Sequence, residues 1–134
     1  MGSFSDYLEN KILDHLFGCT ARNYTSPTNI FVGLSTADPT DAGSGLAEPS
    51  GGSYARVSTS GSTWNSAASG AVSNASAITF PAATGNWGTI THFALFDLLT
   101  GGNMLAHGQL TVAKTITSGD TIQFAIGNLT ASLD

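Results

Sequence analysis

The chain has 134 residues, a length that suits one domain whose core is large enough to need no disulfide or metal ion. Only 10% of the residues are charged and the basic residues are scattered, which argues against the clustered lysines and arginines of nucleic-acid binding. No apolar run has the length of a membrane helix, so the sequence predicts no membrane partner. The sparse charge leaves little repulsion between copies and predicts an oligomer.

Residues 1–18 predict one amphipathic helix. Ser3 and Asp6 have the S-x-x-D spacing of a capping box, and Gly18 supplies a cap at the other end. The apolar residues with helical spacing are Phe4, Tyr7, Leu8, Ile12, Leu13, Leu16 and Phe17. Such a stripe packs either on its own domain or on a partner, and both interpretations stay open. The candidate partner-binding residues of the stripe are Phe4, Tyr7, Leu8, Ile12 and Leu16.

The apolar period changes to two after the helix. Residues 29–35, NIFVGLS, are apolar and β-branched and predict a strand. Residues 36–53, hereafter the long loop, show no periodicity and are rich in Gly, Pro, Ser and Asp. A loop of this length in a small domain is often functional or mobile. Its candidate partner-binding residues are Asp38, Asp41, Leu46 and Glu48.

Turn signals divide the rest of the chain into short strands. The predicted strands lie within residues 54–59, 71–80, 89–98, 104–111, 114–117 and 121–126, and 129–133 extends the last of them. Many short strands after one helix are typical of an antiparallel β-sandwich of the jelly-roll kind. The sequence therefore predicts a mainly β protein, with the helix at 1–18 and the sandwich at 19–134.

The stretch HFALFDLLTGGNMLAHG, residues 92–108, raises the question of an active site. His92, Asp97 and His107 could supply a base with its orienting group or part of a metal site. However, both faces of the strand before the turn are mostly apolar, which indicates a strand covered on both sides. The cover beyond the core would be the helix, the long loop or a neighbouring subunit. We interpret the stretch as interior sheet and predict no catalytic, metal or cofactor site.

Other candidate sites are weaker still. The acids of the long loop do not have the spacing of a calcium-binding loop. Trp64 and Trp87 could form a sugar platform, but tryptophan more often packs in a core or at its rim. Cys19 is the single cysteine, so no intramolecular disulfide can form, and we expect it to be a buried small apolar residue.

Several stretches together resemble a family of small virion proteins from tailed bacteriophages. They are SFSDYLENKILDHLFG, YTSPTNIFVGLSTADPTDAGSGLAEPSGGSYARVS, and WGTITHFALFD with the hairpin GGNMLAHG. The resemblance covers the chain from residue 3 to about residue 133. Members of this family usually carry the label tail fibre protein, and related small β-proteins of phage particles act as capsid cement, or decoration, proteins.

The resemblance implies a structural virion component and not an enzyme. A cement protein binds the assembled capsid and stabilises it by mass action. In that role the chain would be a homotrimer on the outer capsid surface, bound to the major capsid protein. The alternative is a tail or fibre component that contacts the host or joins other tail proteins. The chain lacks the heptads or repeats of a long shaft, so it would then be a tip, an adaptor or a short appendage.

Overall fold

The structure is a computed structural model that describes residues 2–18, 20 and 22–133. In that part of the chain it contains one α-helix and nine β-strands. The elements are β1 (Gly2–Phe4), α1 (Asp6–Phe17), β2 (Ile30–Ser35), β3 (Val57–Thr59), a 3-10 turn (Gly61–Thr63), β4 (Ala71–Ser73), β5 (Ile78–Thr79), β6 (Gly88–Phe96), β7 (Met104–Ile116), β8 (Gln123–Phe124) and β9 (Thr130–Ser132).

Seven of the strands form one sheet in the order β3-β2-β6-β7-β1-β9-β4, and β5 pairs with β8 in a second, small sheet. Neighbouring strands are antiparallel except for β1 and β9, which are parallel. Trp64 and Asn74, which follow the two edge strands, form an isolated bridge, so the large sheet curls until its edges meet. The predicted mainly β, sandwich-like fold with an N-terminal helix is confirmed.

The main core lies between the curled sheet and the β5–β8 pair. It is built from alternate residues of the strands, such as Leu34 and Leu95 from the large sheet and Phe80 and Phe124 from the small one. Phe124 meets the rings of Phe80 and Phe93 edge to face, at 6.3 and 6.0 Å between centroids. The period of two that predicted the strands therefore also selects the side chains that the two layers share.

The hairpin of β6 and β7 is buried on both faces. Phe93 and Leu95 point into the main core, while Ala94 and Phe96 form a second apolar cluster with Met104 on the opposite face. Leu46 of the long loop packs against this second cluster. The interpretation of the stretch as interior sheet is confirmed, and the cover of its second face is the long loop.

The start of the helix differs from the prediction. Ser5, and not Ser3, caps α1, because its hydroxyl accepts the amide of Leu8 at 3.3 Å. Ser3 lies in β1, opposite His107 on one side and Ser132 on the other. The capping box predicted at Ser3 was therefore wrong. The sequence did not reveal β1, because a strand of three residues is too short to show a period of two. Residues 1–18 thus contain a strand of the sheet as well as the helix.

The end of the helix agrees with the prediction. Gly18 adopts the left-handed conformation, with φ of 74°, and its amide donates to the carbonyl of Asp14 at 2.8 Å. A side chain at this φ would be strained, so glycine suits the position. Cys19, predicted to be buried, lies outside the described residues.

Candidate partner-binding surface

The first turn of α1 is fastened to the sheet and to the long loop. Ser5 is buried, and its hydroxyl donates to the carbonyl of Met104 at 2.5 Å. The Ser5 amide donates to the carbonyl of Leu105 at 2.8 Å, and the Asp6 amide to that of Asp41 at 3.1 Å. Leu8 is the buried side chain of the helix. The direction of α1 is therefore fixed at its start.

The last turns of α1 carry apolar side chains into solvent. Leu13 is 52% exposed, Leu16 is 65% exposed and Phe17 is 66% exposed; we name these three residues the helix end. At about 100° per residue, Leu13 and Phe17 stand about 140° and 180° around the helix from the buried Leu8. These two side chains consequently face away from the domain that α1 packs on.

The structure separates the candidate residues that the helical stripe predicted. Phe4 lies in β1 and packs against the main core, and Leu8 is buried. Tyr7 and Ile12 are half-buried, and Leu16 is exposed. Of these residues, Leu16 presents the largest exposed apolar side chain to a partner. Binding to a partner stays a prediction for all five.

Two residues of the helix end were missing from the candidate set. Leu13 and Phe17 belong to the predicted apolar stripe, but periodicity alone does not tell which side of a wide stripe faces the sheet. The structure supplies that orientation, because Leu8 is the helix residue that is buried against the domain. The sequence did contain one indication of an exposed apolar surface: the stripe is too wide for all of its residues to face the sheet.

The long loop is held by a buried ion pair. Arg56 is 8% exposed, and its Nε and Nη2 donate to the two carboxylate oxygens of Glu48 at 2.9 and 2.6 Å. Its Nη1 donates to the carbonyls of Leu98 and Gly101, each at 2.8 Å. The guanidinium carbon lies 3.5 Å from the centroid of the Phe96 ring. One side chain thus joins the long loop to the turn between β6 and β7.

Tyr54 completes the environment of Glu48. Its hydroxyl donates to Glu48 Oε1 at 2.8 Å and accepts the amide of Leu34 at 2.9 Å. Gly33 leaves the space for this contact, since a Cβ there would lie 2.8 Å from Glu48 Oε1. Burial raises the pKa of Tyr54 well above its ordinary value of 10.0, and the charge of Glu48 raises it further.

This raised pKa predicts a loss of stability in alkali. Because the folded pKa of Tyr54 lies above the unfolded value of 10.0, its contribution is complete below pH 10 and is lost as the pH rises towards the folded pKa. We expect the free energy of unfolding to fall less steeply above about pH 10 in Tyr54→Phe than in the wild type. Urea unfolding at a series of pH values measures both slopes, and equal slopes would contradict the prediction.

Two carboxylates of the long loop meet two histidines of the hairpin. His107 Nε2 lies 2.8 Å from Asp41 Oδ1. His92 Nε2 and His107 Nδ1 lie 3.9 and 4.0 Å from Asp38 Oδ1. The rings are diagonal neighbours on one face, because His107 pairs with Ala94, two residues from His92. The candidate residues Asp38 and Asp41 are exposed, but they also fasten the loop to the sheet.

Asp97 does not join the two histidines. Its carboxylate accepts the backbone amide of Asn103 at 2.7 Å and the side-chain amide at 2.9 Å, so it caps the hairpin turn. Asp97 follows Phe96 and points to the other side of the strand. In the part of the chain that the structure describes, no group of three or more His, Cys, Asp or Glu residues is placed to hold a metal ion.

The two tryptophans do not form a common platform. Trp87 is buried in the main core, where its indole donates to the carbonyl of Gly52 at 2.8 Å. Trp64 is half-buried, and its indole donates to Thr59 Oγ1 at 2.9 Å. It lines an apolar groove of about 380 Å³ beside Leu8 of α1. The suggestion of a sugar platform is wrong for Trp87, and core packing is the correct interpretation there.

These features define a small β-structured protein whose single described helix ends in solvent with an apolar surface. Among the described residues, no helix combines the length and apolarity needed to cross a membrane. A family model described as "Podophage GP4 fiber I protein gp80" matches residues 3–132. The chain belongs to this family, and the resemblance to small phage virion proteins that carry the tail fibre label is confirmed. No curated protein matches the chain.

Proposed function

We propose that this protein is a structural subunit of a podophage fibre and that it attaches to a neighbouring virion protein through the helix end. The observation that carries the proposal is the exposure of Leu13, Leu16 and Phe17 at the free end of a helix whose start is fixed. Scattered apolar residues on a surface are ordinary, but three in the last two turns of one helix form a surface that a partner can cover. Helices commonly bind grooves through residues at this spacing.

The proposed role is structural and involves no catalysis. What supports a structural role is the position of the ionisable pairs: His107 with Asp41 and Glu48 with Arg56 each join the long loop to the sheet or its hairpin. The positions of these groups support a loop that is fastened to the sheet so that the surface keeps one shape.

The place in the virion separates two forms of the proposal. The family description names a fibre protein and favours the fibre. Capsid cement on the outer capsid surface is the second candidate, as a homotrimer bound to the major capsid protein. The observation that favours it is the absence of a shaft: the described residues contain a helix of 12 residues and strands of 2 to 13 residues, with no elongated repeat.

Copy number in purified virions distinguishes the two forms. A fibre subunit is expected at a small fraction of the copy number of the major capsid protein, whereas a cement protein is expected at a near-equal number. Quantitative mass spectrometry of purified particles measures the ratio. Native mass spectrometry of the isolated protein gives the oligomer number. Absence of the chain from purified particles would overturn both forms.

Substitutions at the helix end test the attachment itself. Leu13→Glu combined with Phe17→Glu is expected to leave the fold intact, since both side chains face away from the domain, and to abolish incorporation into virions because two charges cannot be buried unpaired. Incorporation is measured in particles that grow with the variant as their sole copy of the protein. Point substitutions are preferable to deletion of residues 1–18, which would remove β1 from between β7 and β9.

The matched control for this test lies on another surface. Ile126 is 67% exposed, which is close to the exposure of Phe17, and it lies in the turn between β8 and β9. Ile126→Glu is expected to enter virions at the wild-type level. Wild-type incorporation of the Leu13 and Phe17 double variant would show that the helix end is not the attachment surface. An equal loss in the Ile126 variant would show that any surface charge disturbs assembly.

A further inference from the structure

We propose that the cleft between α1, residues 23–28 and the turn after β6 binds a saccharide, a role that goes beyond the attachment proposed above. The cleft has a volume of about 520 Å³, within the usual size of ligand sites. Its lining consists of Tyr7, Lys11, Asn23, Tyr24, Thr25, Pro27, Thr28, Asp97 and Leu98. It adjoins the apolar groove beside Trp64, with which it shares Tyr24, Pro27 and Thr28, and none of its lining residues belongs to the cluster of the long loop with the histidines.

The polar groups of the cleft are mostly uncommitted. No described residue makes a hydrogen bond to the hydroxyl of Tyr7 or Tyr24, to the side chain of Asn23, or to the hydroxyl of Thr25 or Thr28. The ammonium group of Lys11 lies 5.9 Å from the centroid of the Tyr7 ring. By contrast, the polar side chains around Glu48 and around His107 are paired. This cleft therefore gathers donors and acceptors that a ligand can use.

Tyr24 brings the two sides of the cleft together. It is half-buried, and burial raises the pKa of its hydroxyl, with the proximity of Tyr7 and of the Asp97 carboxylate as further causes. Tyr7 comes from the helix and Asp97 from the end of the hairpin strand. Their rings, hydroxyls and carboxylate thus face one space from three segments of the chain.

The chemistry of the lining selects the class of ligand. Aromatic rings pack on the C–H faces of a sugar, while hydroxyl, amide and carboxylate groups bond to its hydroxyls. Lys11 and Asp97 balance in charge, so the cleft lacks the excess of positive charge that a phosphate or an acidic polymer needs. A purely apolar ligand would leave the uncommitted polar groups without partners. A neutral saccharide satisfies both parts of the lining.

The cleft and the helix end lie on different sides of α1. Leu13 is six residues after Tyr7, and Phe17 six after Lys11, which places each pair about 120° apart around the helix. A virion partner on the helix end would consequently leave the cleft open. Sugar binding and attachment can be tested independently on the same chain.

The experiment is a titration of the full chain, labelled with nitrogen-15, against a panel of neutral oligosaccharides from bacterial surface polysaccharides. The amide resonances expected to shift with at least one member of the panel are those of residues that line the cleft and not the groove: Tyr7, Lys11, Asn23, Thr25, Asp97 and Leu98. The shifts give a dissociation constant, which isothermal titration then checks. Weak binding in the millimolar range is sufficient, since a fibre engages several sites at once.

Matched variants tie the binding to this cleft. Tyr24→Phe keeps the ring and removes one hydrogen bond, so we expect about fivefold weaker binding. Lys11→Ala and Asn23→Ala are expected to weaken binding, whereas Lys114→Ala and Asn128→Ala, which lie elsewhere on the exposed surface, are expected to have no effect. Circular dichroism confirms that each variant is folded.

Three results would overturn the proposal. The first is no shift with any saccharide at about 10 mM, well above the millimolar dissociation constants expected for a single site. The second is a set of shifts confined to residues that line only the groove, such as Thr59 and Trp64. The third is shifts produced only by peptides of virion proteins. The last result would assign the cleft to a protein partner. The Leu13 and Phe17 double variant should bind sugar normally. Its behaviour in virions and the copy number therefore test the proposed function without reference to this cleft.

Discussion

Replacement of Arg56 by methionine is expected to lower the free energy of unfolding by about 3 kcal/mol. Methionine keeps much of the apolar length of arginine but leaves the Glu48 carboxylate facing the sheet without its partner. The variant also loses the hydrogen bonds to the carbonyls of Leu98 and Gly101 and the contact with the Phe96 ring. Urea unfolding followed by circular dichroism measures the change.

A double variant separates the buried charge from the lost contacts. Adding Glu48→Gln to Arg56→Met removes the unpaired charge while the amide can still accept the hydrogen bond of Tyr54. We expect it to recover part of the lost stability, because an uncompensated buried charge costs more than the absence of the pair. Lys114→Met, an exposed cation on β7, is the control and should change stability little. A loss in Arg56→Met no larger than in this control would contradict the prediction.

The ion pair also affects the proposed attachment surface. The long loop that Glu48 holds reaches the start of α1, where the carbonyl of Asp41 accepts the amide of Asp6. Loosening the loop should therefore loosen the direction of the helix and the position of the helix end. Compared with the wild type, Arg56→Met is expected to show faster amide exchange in the long loop and in the first turn of α1. The exchange rates of β2 should change less.

Two of the strands could be predicted because a strand covered on both faces leaves a run of apolar and β-branched residues in the sequence. Residues 29–35 and 89–98 contain such runs, and they became β2 and β6. β1 could not be predicted, because its three residues are stabilised by two neighbouring strands that are distant in the sequence. The stretch 71–80 divided into β4 and β5 because the backbone bends at residues 75 and 76, directly after the buried Asn74.

The candidate site was predictable only in part for the same reason. The length of the long loop indicated a functional segment. In the sequence, however, Arg56 is only one polar residue of a predicted strand, and its partner Glu48 comes close to it only when the loop folds back. Tyr24 shows no motif in the sequence, since its surroundings come from the helix and from the hairpin turn. Contacts between distant segments carry no local pattern.

Asn74 closes the end of the curled sheet, and its replacement by alanine is expected to be among the most damaging polar substitutions. The side chain is fully buried. Its amide donates to the carbonyls of Ser76 and Ala125, each at 2.9 Å, and to that of Phe124 at 3.4 Å. Its oxygen accepts the amide of Leu129 at 3.0 Å. One side chain therefore joins the segment after β4 to β8 and to the approach of β9.

Alanine would leave the carbonyl of Phe124 and the amide of Leu129 buried without this partner and would remove the hydrogen bonds to Ser76 and Ala125, so we expect Asn74→Ala to lower the free energy of unfolding by about 3 kcal/mol. Asn65→Ala is the control, since Asn65 is exposed and its amide makes one hydrogen bond, to Ser73 Oγ; it should cost less than about 1 kcal/mol. Urea unfolding compares the two variants. Equal losses would contradict the prediction, because the buried side chain of Asn74 would then contribute no more to stability than the exposed side chain of Asn65.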